Sequence, residues 1–268
     1  FFFIFFKINF TVILMDIIKK FIPEIFSNLT LEEKELCIKE LAEEIFKKLN
    51  LKSVPIVFDN LINEDGVPLG GKFIYNPPSI LINDSFLSND SELEYLKNKG
   101  MDYQATNSYF LVNALAHECY HYFQFDLEMK LINNEKIDHA LFESSYLYFI
   151  CLYDNVFSSF NKKAGIYIPS TLSDRDIYLY SPVEQSANSF AFEITCLLGK
   201  FDKKENFDKY VESNAIDHFH LIKRNLSNGG NSIELSIKHS LENAIQFLNY
   251  KNASSGLKSN YLNIDVEE

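Results

Sequence analysis

Residues 107–130 read NSYFLVNALAHECYHYFQFDLEMK and contain the pentad His117-Glu118-Cys119-Tyr120-His121. The run holds neither Gly nor Pro, so it predicts one continuous α-helix. On a helix, residues i and i+4 share a face, which points both imidazoles the same way about one turn apart. That spacing lets two ring nitrogens bind one metal ion, with the Glu between them as a candidate general base. Asn113 and Gln124 fall on the histidine side. Val112, Leu115, Ala116, Cys119, Tyr122 and Phe123 form an apolar back. The polar front is expected to open on a cleft, with small Ala114 leaving room beside Glu118. The bland alternative is a chance pentad on a solvated helix face.

Two histidines do not complete a zinc site, because a catalytic zinc takes three protein ligands and keeps one position open. The best third candidate is Glu184, in Tyr180-Ser181-Pro182-Val183-Glu184-Gln185-Ser186-Ala187-Asn188-Ser189-Phe190-Ala191. Pro182 suits a first helical turn, so a helix is expected to start near Ser181. Glu184, Ala187, Asn188 and Ala191 would share one face of it, small enough for close helix packing, with Phe190, Ile194 and Leu197 behind. Ser181-x-x-Glu184 also fits a capping box, which by itself accounts for a Glu there. Rival ligands are Glu143, Asp138 and His139. Glu193 lies on the Glu184 helix but points elsewhere. His218, His220 and His239 read as surface or capping residues.

The pentad followed by Glu184-x-x-Ala187-Asn188-x-Phe190-Ala191 resembles the zincin metallopeptidases of the gluzincin type. The second segment looks most like the ImmA/IrrE-type zinc peptidases and their phage-associated relatives. The resemblance spans roughly residues 51–200. Cys119 stands where large aliphatic residues are commoner, and the linker from His121 to Glu184 is long. The resemblance implies an α+β, zincin-like fold, in which a small mixed β-sheet packs on the HExxH helix and further helices follow. It implies Zn2+ held by His117, His121 and Glu184, with Glu118 as the catalytic carboxylate, and a peptide or protein substrate added to an edge strand near Ile80 to Asn83. The chemistry implied is peptide-bond hydrolysis by a zinc-activated water whose proton passes through Glu118 to the leaving amine. Tyr178 and Tyr180, just before the Glu184 helix, are possible oxyanion donors, though core packing explains them as well. Two other classes stay open: an inactive zincin-like binding or regulatory protein, and a helical interaction protein.

Elsewhere the chain is plainer. Its 268 residues suit one large domain, and 47% hydrophobic content supplies a sizeable core. The net charge of −12, with no basic cluster, argues against nucleic acid or an anionic membrane as partner. Cys37, Cys119, Cys151 and Cys196 are scattered in apolar helical patterns, so buried free thiols and a reducing, cytoplasmic setting are expected. Residues 1–14, FFFIFFKINFTVIL, precede Met15 and lack a basic n-region and a cleavage site. They read as upstream read-through or a disordered lead; a signal segment and secretion is the alternative. Residues 15–200 are expected to form the metallopeptidase domain and 201–268 a helical extension packed on it.

Thr30-x-x-Glu33 reads as a capping box opening a helix from Leu31 to Lys48, with Leu36, Ile38, Leu41 and Ile45 on its apolar positions. Ser53 to Phe58 reads as a strand. Lys72 to Tyr75 and Ser79 to Asn83 read as a hairpin joined across Pro77-Pro78, with Gly70-Gly71 as no more than a turn. Ser88 to Gly100 reads as a polar loop, and His139 to Phe157, Glu205 to Asn225 and Ser232 to Tyr250 as helices.

Overall fold

The computed structural model describes residues 12–63, 66–88, 106–133, 135 and 182–211. It is a mixed α+β structure. In chain order it runs α1 (Val12–Lys19), α2 (Pro23–Phe26), α3 (Leu31–Lys48), β1 (Ile56–Asp59), β2 (Gly71–Tyr75), β3 (Pro78–Asn83), α4 (Ser85–Ser88), α5 (Asn107–Ile132) and α6 (Pro182–Leu198). A final described helix, α7, spans 204–211.

Local chemistry explains the first long helix. The Thr30 hydroxyl accepts from the Glu33 amide at 3.3 Å, and the Glu33 carboxylate accepts from the Thr30 amide at 2.8 Å. The capping box thus satisfies two groups a helix start leaves unpaired. Ile38, Leu41 and Ile45 are fully buried, whereas Leu36 points outward. Helix α1 begins at Val12 and already buries Leu14 in the shared core.

The three strands form one sheet in the order β1-β3-β2. β1 lies parallel to β3, with Ile56 opposite Ile80, and β2 lies antiparallel to β3, with Phe73 opposite Ile80. The expected hairpin is therefore present. The expected substrate edge is not where the sequence put it. Ile80 to Asn83 lie in the central strand, with neighbours on both sides, so they cannot accept another chain. Among the described strands, the edge beside the pentad helix is β2.

Asn83 holds the loop that leads into that edge. Its buried amide donates to the carbonyls of Leu61 (2.9 Å) and Leu69 (2.7 Å), and its own carbonyl oxygen accepts from the Ser85 hydroxyl at 2.7 Å. These bonds satisfy the buried Asn83 amide, which would otherwise be a buried polar cost.

Helix α5 runs through the middle of the core. Its predicted back, Val112, Leu115, Ala116, Cys119, Tyr122 and Phe123, is buried throughout. Its front is more covered than an open polar face, since Gln124 is also buried completely. A helix enclosed nearly all round has packing partners on each side. Here they are α3 and the sheet on one flank and α6 on the other. Ala187 and Ala191 are fully buried, which lets the backbones of α5 and α6 approach, while the Phe190 ring packs at a tilt against Tyr120 with centroids 4.9 Å apart. Asn188 is exposed, so it does not belong to that contact face as expected. Past α6, Tyr210 on α7 is buried on Tyr109 and its hydroxyl accepts from Asn113 at 2.9 Å. The described start of the C-terminal extension is thereby packed on α5.

Cys37 and Cys119 are buried and free, and Cys196 is free and partly buried. Among the described residues, no helix is long and apolar enough to cross a membrane. The sequence readings for residues 1–11, 89–100, 139–157 and 212–268 lie outside the described residues, as do Asp138, His139, Glu143, Cys151, Tyr178, Tyr180, Ser181, His218, His220 and His239.

Candidate metal centre

Two helices bring three side chains to one point. His117 and His121 come from successive turns of α5, and Glu184 comes from the first turn of α6. The ring nitrogens His117 Nε2 and His121 Nε2 lie 2.8 Å apart. Glu184 Oε2 is 3.3 Å from His117 Nε2, and Glu184 Oε1 is 3.3 Å from His121 Nε2. These three residues form the one group among the described residues whose donor atoms converge closely enough to share a metal ion. The Glu184 carboxylate is 6% exposed and the two imidazoles 16% and 12%. The cluster is therefore mostly buried, with part of each imidazole open to solvent.

The donor set fits a small divalent cation. A tetrahedral ion with bonds of about 2.0–2.1 Å spaces its ligand atoms roughly 3.3 Å apart. The two carboxylate contacts have that separation, and the nitrogen pair is slightly tighter. Two Nε2 atoms at 2.8 Å cannot both present lone pairs or both present protons; a single proton or a shared cation must lie between them. The outer hydrogen bond favours lone pairs facing inward. His121 Nδ1 lies 2.8 Å from Gln124 Oε1, and a Gln carbonyl oxygen can only accept. The Nδ1 proton therefore goes to Gln124, and Nε2 is left for a metal. The sequence placed Gln124 on the histidine face; the structure assigns it this orienting role.

Charge in the cluster follows the same geometry. Burial alone would disfavour a His121 imidazolium, but the Glu184 carboxylate against it, with the charge of Glu118 nearby and the Gln124 contact, pushes its pKa up to about 9. Burial also works against an ionised Glu184, yet the two imidazoles hold its carboxyl well below the usual range. Metal binding must therefore expel a proton. Below pH 9 the metal-free site keeps that proton on His121, and a metal needs the lone pair it occupies. Apparent affinity should climb about tenfold per pH unit and flatten above pH 9, with roughly one proton released per ion at pH 7. Titration calorimetry in buffers of different ionisation enthalpy reads this directly; affinity independent of pH between 6 and 9 would refute it.

Glu118 stands beside the cluster but outside it. Its Oε2 accepts from the backbone amide of Phe73, on β2, at 2.8 Å. It is 9% exposed, and among the described residues no other hydrogen bond reaches its carboxylate. One oxygen is thus anchored to the edge strand while the other makes no hydrogen bond among the described residues. Sequence reading missed what allows this approach. Gly70 and Gly71 are more than a turn. A Cβ on Gly70 would sit 2.8 Å from the Phe110 ring and 2.9 Å from the Ala114 methyl; one on Gly71 would sit 2.9 Å from Glu118 Cγ. The paired glycines let strand and helix touch where Glu118 lies, and Ala114 supplies the matching small residue on the helix. The visible signal was the Gly-Gly pair at the head of a strand. Gly70→Ala is expected to destabilise the protein by about 1–3 kcal/mol through overpacking, measured by urea unfolding. A change under about 0.5 kcal/mol would mean the contact is loose.

Glu193, on α6, faces Lys48 and takes no part in the cluster: burial raises its carboxyl pKa and the Lys48 charge opposes that shift. Cys119, the unusual pentad residue, is fully buried on the opposite side of α5, where burial raises its thiol pKa and keeps it inert.

No family model matches the chain, and comparison with curated proteins and with solved structures returns no significant match. The functional reading consequently rests on the site itself.

Proposed function

We propose that this chain is a zinc-dependent peptidase with a zincin-like fold, and that His117, His121 and Glu184 are the zinc ligands. The observation that carries the reading is the meeting of the pentad imidazoles with a carboxylate from a second helix, while Glu118 is held next to them without joining them. Two imidazoles and one carboxylate, with no thiolate joining them among the described residues, suit zinc best. When bound, zinc supplies a Lewis acid that polarises a carbonyl and acidifies water.

The residues divide the remaining work. Gln124 fixes the His121 ring. Glu184 supplies the negative charge that offsets a buried cation. Glu118 takes the proton from an attacking water at its unanchored oxygen and returns it to the leaving amine. β2 offers the substrate its main chain. Because the Phe73 amide points away from β3, so do the backbone groups of Gly71 and Tyr75, at alternate positions of an antiparallel edge. An extended peptide could pair with the main chain of Tyr75, next to the Phe73 amide that Glu118 already holds. This replaces the central strand as the expected docking edge.

The test is direct. Purified full-length chain should hold one equivalent of zinc by elemental analysis. It should cleave members of a random peptide pool, lose that activity to 1,10-phenanthroline and regain it with added zinc. Stoichiometric zinc without cleavage of any peptide would sink the enzyme reading.

A further inference from the structure

The α5 face that carries the two histidines does not stop at Gln124. At helical spacing it continues to Glu128, seven residues beyond His121. Glu128 is 9% exposed. Burial is the sole influence on its carboxyl, with no cation or hydrogen-bond donor contributing among the described residues. An acid that is mostly covered, yet held by no basic side chain among the described residues, is free to meet a cationic ligand.

Aromatic side chains flank it. Tyr75, at the end of edge strand β2, packs its ring edge-on against Phe125 at 5.5 Å and against Phe73 at 5.0 Å. Phe125 lies one turn before Glu128 on α5, so its ring contact with Tyr75 brings the end of the edge strand to this corner. Tyr75 is 48% exposed, so this corner opens to solvent. One buried acid, aromatic surfaces and an opening are the chemistry that takes up an ammonium or guanidinium group, by ion pairing in low dielectric and by cation–π contact.

We infer that Glu128, Tyr75 and Phe125 form a subsite for a lysine or arginine side chain of the substrate. The inference rests on the peptidase reading and adds the substrate class to it. A helix rises 1.5 Å per residue, which puts Glu128 roughly 10 Å along α5 from His121. An extended peptide covers that distance in about three residues. The basic side chain therefore lies at a fixed offset of about three residues from the bond cleaved.

The test uses the full chain loaded with zinc. Peptide pools randomised around one fixed lysine, arginine or Nε-acetyllysine are offered to the wild type, Glu128→Gln and Tyr75→Leu, and products are read by mass spectrometry. Wild type should prefer the lysine and arginine pools about tenfold over acetyllysine, cutting at a constant offset. Glu128→Gln should bring that ratio close to one, and Tyr75→Leu should lower it about threefold. Binding of the same pools to zinc-loaded Glu118→Gln, with and without Glu128→Gln, gives a readout that needs no turnover. Cleavage without basic preference, or preference that survives Glu128→Gln, overturns the subsite and leaves the peptidase reading standing. Lysine-selective binding lost in Glu128→Gln, with no cleavage by wild type, supports the subsite and overturns the peptidase reading. Neither binding nor cleavage overturns both.

Discussion

Glu184→Ala should weaken zinc binding about a thousandfold while leaving the chain folded. If an apparent binding free energy of roughly 12 kcal/mol is shared among three ligands, losing one costs about 4 kcal/mol. His121→Ala should cost about as much, because the two groups face the same point from different helices at 3.3 Å. The cost to folding is separable. Glu184 lies at the start of α6, while the α5–α6 contact is carried further on by Ala187, Phe190, Ala191 and Ile194, all buried. Glu193→Ala is the matched control: it removes an acid from the same helix, faces Lys48, and should leave zinc affinity within about twofold. Competition with a chromophoric chelator measures all three variants. Unchanged affinity in Glu184→Ala would remove it from the ligand set and return its role to that of a helix-capping acid.

The metal cluster was legible in the sequence because its geometry is local. Four-residue spacing on a Gly- and Pro-free run forces His117 and His121 together, whatever the rest of the chain does. Glu184 was harder, since a Glu three residues after Ser181 is equally well explained as a cap. Only the packing of two helices decides where its oxygens go, and small Ala187 and Ala191 were the readable hint. Two features that the structure supplied are non-local. Strand order is set by pairing across the sheet, so a sequence with two adjacent β patterns does not say which becomes the edge; β3 won the centre because β1 pairs with it in parallel. The role of Gly70-Gly71 depends on Phe110, Ala114 and Glu118, some forty residues downstream. Read alone, a Gly pair signals a turn. Its packing role emerges when a helix lies against it.

Glu118→Gln should abolish peptide hydrolysis, by a factor of roughly 10²–10⁴, without loss of zinc. The substitution is chosen for what it keeps. A glutamine carbonyl oxygen still accepts from the Phe73 amide, so the buried contact between α5 and β2 at 2.8 Å survives. Glu118 is outside the converging donor group, so the ligand set is untouched. What disappears is a group able to take a proton, together with a charge that helps hold the His121 proton. Zinc content by elemental analysis and single-turnover hydrolysis of a peptide already shown to be cleaved separate these effects. Equal rates in wild type and variant would mean that Glu118 serves the fold through its bond to β2 and that another group moves the proton. A wild type that binds zinc but cleaves nothing would instead favour a binding or regulatory protein built on the same metal centre. A chain that takes up no zinc and unfolds identically with and without chelator would leave only a helical interaction protein. Each outcome assigns the buried Glu118–Phe73 contact a different purpose, because a carboxylate anchored through one oxygen to an edge strand is useful to catalysis only if the other oxygen meets a proton.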